Sequence, residues 1–104
     1  MDKEILREAI AHFGEKHQLI KVSEELSELS VEVFKMANGS RHNVFEELAD
    51  VTIMVDQLEM ILDATVKEEG YTVRLVETII STKTRRLAEL IREETRKGER
   101  QNVY

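Results

Sequence analysis

The chain has 104 residues, 41% hydrophobic and 35% charged, with a formal net charge of −6, no Cys and no Pro. That length holds one domain, 1–104, and the negative balance disfavours nonspecific binding to nucleic acid or to anionic membranes. The absence of Cys excludes disulfides and thiolate metal sites, and the absence of Pro leaves long helices uninterrupted and argues against a loop-rich β fold.

Four helical segments follow in order. The first runs from about Lys3 to Phe13, with Asp2 as N-cap, an apolar stripe of Ile5, Leu6, Ala9, Ile10 and Phe13, and Gly14 as punctuation. The second runs from about Glu15 to Ala37. Its stripe is Leu19, Val22, Leu26, Leu29, Val33 and Met36, alternating steps of three and four as in a bundle seam. Asn38-Gly39 ends it, with Gly39 placed for a left-handed cap.

The third helix begins near Asn43, which has capping-box spacing with Glu46. Its stripe is Val44, Leu48, Val51, Val55, Leu58 and Leu62, and Ile53, Met54, Met60 and Ile61 add apolar surface outside it. A helix apolar on more than one side is buried on more than one side, so this one is expected to meet another subunit. Lys67 to Thr72 reads as a connector around Gly70. The fourth helix covers roughly Val73 to Lys97 and stops at Gly98, with a stripe of Val76, Ile80, Leu87 and Leu90 or Ile91 that Lys83 interrupts. Gln101 to Tyr104 reads as a tail. The opening Met-Asp-Lys-Glu shows no apolar leader and no run approaches ~18 apolar residues, so the cytoplasm is the expected compartment, with no membrane partner.

Two carboxylate motifs stand out: Glu24-Glu25-Leu-Ser-Glu28 and Glu46-Glu47-Leu-Ala-Asp50. Glu25 with Glu28, and Glu47 with Asp50, project from one helix face a turn apart. Like charges at that spacing cost roughly 0.2–0.5 kcal/mol per pair on an isolated helix. A divalent cation turns the repulsion into ligation, and oxygen donors suit Mg²⁺ or Mn²⁺. Each acid precedes a stripe residue and so points about 100° from the core direction. A short connection makes the second and third helices an antiparallel hairpin, which puts all four acids on one flank. With the facing ends level, the pairs differ in height by roughly 9 Å at ~1.5 Å per residue, so convergence requires the third helix to start below the end of the second.

The pattern E-E-x-x-E, followed about twenty residues later by E-x-x-D, resembles the all-α nucleoside triphosphate pyrophosphohydrolases of the MazG type. The context "KVSEELSELSVEV" and "EELADVTIMVDQLEMI" strengthens the resemblance, which spans roughly residues 17–91. It is similar to the small single-domain versions of bacteria and phages. The resemblance implies a four-helix bundle forming a homodimer or homotetramer. It also implies Mg²⁺-dependent hydrolysis of a (deoxy)nucleoside triphosphate to the monophosphate and pyrophosphate. Carried over by position, Glu25, Glu28, Glu47 and Asp50 hold metal, with more than one ion once substrate is bound. Glu24 is an added acid that orients or deprotonates water.

Basic groups should face the remaining phosphate oxygens. Lys83, set in an otherwise apolar stripe, and Arg86 one turn on are the first candidates, and Lys21 is a third. His17, with Phe13, is placed to stack on a base. His12, His17 and His42 share no metal-ligand spacing. Two competing readings remain: phosphoribosyl-ATP pyrophosphohydrolase, with a similar fold and acid pattern, and a noncatalytic helical oligomerisation or regulatory module whose acids are only solvated.

Overall fold

The computed structural model describes residues 1–101, and they form four α-helices: α1 (Lys3–Phe13), α2 (Glu15–Ala37), α3 (Val44–Val66) and α4 (Tyr71–Gln101). No strand occurs among the described residues, and none of their helices is long and apolar enough to cross a membrane. Contacts divide the chain into two units, Met1–Glu69 and a second that begins at Gly70.

In the first unit, local chemistry sets the helix ends. The Asp2 carboxylate accepts from the backbone N–H groups of Glu4 and Ile5 at 3.0 and 3.3 Å, so α1 starts where the sequence predicts. Past α2, Gly39 takes φ 73°; its N–H donates to the Met36 carbonyl, and the Ser40 N–H donates to the Lys35 carbonyl at 2.9 Å. These are the two bonds of a Schellman motif, and they need a left-handed residue that Gly supplies without strain. Past α3 the same two bonds recur, Lys67 to Ala64 and Glu68 to Asp63, but here the left-handed residue is Lys67, at φ 60°.

α2 and α3 pack most closely, and α1 lies against both. The buried apolar residues are Leu6, Val22, Val51, Met54 and Ile61. The face of α2 turned inward is Gln18, Val22, Glu25 and Glu32, with Leu29 half-buried. Val22 and Leu29 belong to the predicted stripe, but Gln18, Glu25 and Glu32 stand where the pattern expects Leu19, Leu26 and Val33. Leu19, Leu26 and Val33 are 42–48% exposed. On α3 the inward residues are Val51, Met54 and Ile61, with Val44, Glu47 and Leu58 half-buried, whereas Leu48 and Leu62 face out. Val22 and Leu29 on α2 and Val44, Val51, Val55 and Leu58 on α3 keep their predicted inward sense, while the residues just before Leu19, Leu26, Val33, Leu48 and Leu62 turn in. Each helix is thus rotated by about half a residue step, near 50°, from the apolar pattern. This turn draws Glu25 into the seam and Glu47 to its edge, while Glu28 and Asp50 remain exposed.

The predicted capping box at α3 is not formed, because the Asn43 side chain makes no cap bond. Instead the Asn43 backbone N–H donates to Glu32 Oε1 at 2.9 Å. This contact supplies the stagger that the acids require: α3 begins level with Glu32, more than a turn below the end of α2.

In the second unit, α4 is longer than predicted at both ends. It begins at Tyr71, where the Arg74 N–H donates to the Gly70 carbonyl, and it runs through Gly98. Gly98 does not adopt a positive φ, so no cap forms there. The helix formers on either side carry the helix past one residue that costs about 1 kcal/mol. Of the predicted tail, Gln101 is the last residue of α4, and 102–104, with Tyr104, lie outside the described residues.

Candidate metal centre

The α2–α3 seam brings together one carboxylate oxygen each from Glu25, Glu47 and Asp50, all within 4.8 Å of one another. Ligands on opposite sides of a Mg²⁺ ion stand about 4.2 Å apart, given bonds of about 2.0–2.1 Å. Adjacent ligands stand about 2.9 Å apart, so the side chains must draw together, by up to about 2 Å, to enclose a cation. Burial grades across it: Glu25 is buried, Glu47 half-buried and Asp50 exposed, which leaves one side open to solvent and to a ligand.

Two oxygens in this cluster, Glu25 Oε2 and Glu47 Oε2, are buried and have no hydrogen-bond partner. A buried carboxylate oxygen without a donor is costly, and a divalent cation is the group that satisfies several at once. Burial, then the neighbouring carboxylates of Glu28 and Asp50, push the Glu47 carboxyl above its ordinary range. The fourth predicted ligand, Glu28, thus stands near enough to the cluster for its charge to act on Glu47, while its own side chain is exposed. The chemistry of the set, three or four hard oxygen donors with no nitrogen or sulfur, fits Mg²⁺ or Mn²⁺.

Lys21 lies at the edge of the centre, with its Nζ 3.4 Å from Glu25 Oε1 and 3.8 Å from Glu24 Oε2. Its hydrogen bond with Glu25 raises the ammonium above its ordinary value. Lys21 is therefore engaged with the acids themselves, and a phosphate that claims it must displace that pairing. Glu24 is exposed and outside the three-oxygen cluster. His17 stacks on Phe13 with ring centroids 5.2 Å apart and planes 21° from parallel. Its Nδ1 lies 2.8 Å from Gln18 Oε1. His17 is eight residues before Glu25 on the same helix, about 12 Å along the axis. Lys83 and Arg86 belong to α4, in the second unit, and both side chains are exposed.

Sequence reasoning missed three side chains of this seam: Gln18, Gln57 and Glu32. Gln18 Nε2 donates to Gln57 Oε1 at 2.7 Å across the helix pair, and both residues are buried. Glu32 is buried too, held by the Asn43 N–H and by Lys35 Nζ at 2.9 Å, contacts that keep its carboxyl below the ordinary range, Lys35 foremost. The signal was spacing: Gln18, Glu25 and Glu32 are seven residues apart on α2. Set against protein-family models, curated proteins and solved structures, this chain finds no match.

Proposed function

We propose that this chain is a Mg²⁺-dependent nucleoside triphosphate pyrophosphohydrolase of the MazG-like kind, converting a (deoxy)nucleoside triphosphate and water to the monophosphate and pyrophosphate. The observation that carries this reading is the meeting of Glu25, Glu47 and Asp50 oxygens from two helices, with two buried oxygens left unpartnered. The E-E-x-x-E and E-x-x-D spacing supports it independently. Solvated acids have no reason to be drawn into an interhelical seam, so the noncatalytic reading is the weaker one.

In this reading Glu25, Glu47 and Asp50 hold the cation, and Glu28 acts on Glu47 through its charge. Bound there, Mg²⁺ supplies positive charge to the polyphosphate oxygens and lowers the pKa of a water. The α–β anhydride bond breaks, the water oxygen joins the phosphorus it attacks, and its protons pass to an acceptor beside the site. Glu24 is the acid available for that role. Lys21 meets a phosphate oxygen after exchanging its contact with Glu25. Lys83 and Arg86 keep the phosphate role that the sequence suggests for them, and the Phe13–His17 stack offers a surface for a base. The exposed apolar residues of α2 and α3 fit a homodimer or homotetramer, and the cytoplasm is the compartment where such substrates occur.

The test is pyrophosphate release from the common ribo- and deoxynucleoside triphosphates and from phosphoribosyl-ATP, with Mg²⁺ and with EDTA. Release that needs Mg²⁺ and disappears in Glu47→Gln supports the proposal. No release from any nucleoside triphosphate overturns it.

A further inference from the structure

The seam holds more than the acid cluster. Gln18, Glu25 and Glu32 recur every seven residues along α2, and Asn43, Asp50 and Gln57 every seven along α3. The contacts pair them in antiparallel order: Gln18 with Gln57 at 2.7 Å, Glu25 beside Asp50, and Glu32 with the Asn43 N–H at 2.9 Å. Glu28 beside Glu47 falls on the same register. Two polar layers therefore bracket the Glu25–Asp50 layer, each two helical turns away, or about 10 Å.

We infer that Gln18–Gln57 and Glu32–Asn43 are positioning residues that fix the register of the α2–α3 hairpin, so that the cation-binding oxygens meet. This deepens the proposed function and rests on its metal reading.

The physical argument is selection among registers. An apolar seam of alternating threes and fours packs nearly as well after a slip of one turn, because it repeats. Such a slip moves one helix about 5.4 Å along the other, more than the 4.8 Å that spans the three oxygens, and so disperses the centre. Slipping also parts the buried Gln18 and Gln57 amides and takes the Glu32 carboxylate from the Asn43 N–H, leaving it only Lys35 on its own helix. A buried polar group without its partner costs about 1–3 kcal/mol, and more when charged. The polar layers thus act through the alternatives they forbid, as a single buried polar residue does in a coiled coil.

The test uses the full chain, Mn²⁺ calorimetry and circular dichroism. Glu32→Ala removes one pin. Gln18→Leu with Gln57→Leu removes the other while keeping bulk and adding apolar contact. Both variants keep their helical content, and the double variant unfolds no earlier than wild type, yet each binds Mn²⁺ at least about tenfold more weakly, the scale of losing an orienting contact behind a metal ligand. Glu32→Gln, whose amide oxygen still accepts from Asn43, and Lys35→Met each stay within about threefold of wild type, since the Asn43 contact survives in both. Wild-type Mn²⁺ affinity in both Glu32→Ala and the double variant overturns the inference. Absence of Mn²⁺ binding by the wild type sinks the metal reading instead. The register is then read without metal from the nuclear Overhauser contact between the Gln18 and Gln57 side-chain amides. Its loss in Glu32→Ala and survival in Glu32→Gln support the pins, and its survival in Glu32→Ala overturns them.

Discussion

The inward and outward faces of α2 carry the reverse of what a helix against a core usually shows. Inward stand Gln18, Glu25 and Glu32, with Val22 as the one buried apolar residue of the helix; outward stand Leu19, Leu26, Val33 and Phe34, the last 70% exposed. The contrast teaches that burial here does not follow hydrophobicity: Gln18 and Glu32 are paired across to the α3 side, and Glu25 is buried with one oxygen unpartnered. A buried amide or carboxylate is tolerated where a partner meets it across the seam. The outward apolar face, Leu19, Leu26, Val33 and Phe34, is the surplus.

Substitutions on the two faces should separate sharply. Asp50→Asn or Glu28→Gln, beside the seam, is expected to lower turnover on the order of 10²-fold or more while circular dichroism stays unchanged. Leu26→Ala, on the outward face, should leave per-site turnover near wild type under conditions that keep the assembly intact. Equal losses from Leu26→Ala and Asp50→Asn would erase the distinction.

Stability sharpens the comparison further. Ile61→Ala deletes a side chain that is 5% exposed and should cost about 2–5 kcal/mol in chemical denaturation. Leu26 is 48% exposed, so Leu26→Ala in a lone chain should cost under about 1 kcal/mol. If copies associate through that face, the penalty grows and the transition midpoint shifts with protein concentration. A penalty that stays small at every concentration would remove Leu26 from any interface.

Two seam carboxyls give opposite pH responses. Glu47 titrates above its ordinary value of 4.5, so folding favours its neutral form. The stability it contributes is full below about pH 4.5 and is lost as pH rises through its folded value. Glu32 titrates below 4.5, so its contribution is full above that point and disappears on acidification. Denaturation of the metal-free chain across pH should show the Glu47 component flatten in Glu47→Gln, and Mg²⁺ should offset it by favouring the ionised form. A metal-free profile unaffected by Glu47→Gln would show that the carboxyl is not perturbed. The smallest effect concerns Lys67, left-handed at φ 60° where Gly would be unstrained. Lys67→Gly should raise stability by about 0.5–1 kcal/mol, and a loss would show that the Lys side chain makes a compensating contact.

Much of this was legible in the sequence. The spans of α1 and α2 follow from Asp2, Gly14 and Asn38-Gly39, because caps act locally. The acids were found from spacing alone, and three of the four predicted ligands share the oxygen cluster. The phase of the seam was not legible. Leu19, Leu26 and Val33 and the set Gln18, Glu25 and Glu32 have the same period, so periodicity cannot choose between them and hydrophobicity chooses the wrong one. The choice depends on partners on α3, dozens of residues away in sequence. Gly98 misled for a related reason: a Gly ends a helix only when the chain turns there.

On the proposed register pins, the alignment of α2 and α3 rests on Gln18–Gln57 and on the Asn43 N–H at the start of α3, which releases the turn before Asn43 from that duty. The segment between Gly39 and His42 has only to close the gap, and closing a longer one is cheap, at about 0.6 kcal/mol for each doubling of length. Foreign peptides spliced after Ser40 should therefore be carried without disturbing the carboxylates, which makes this bend the natural place for lineages, or engineers, to add new sequence.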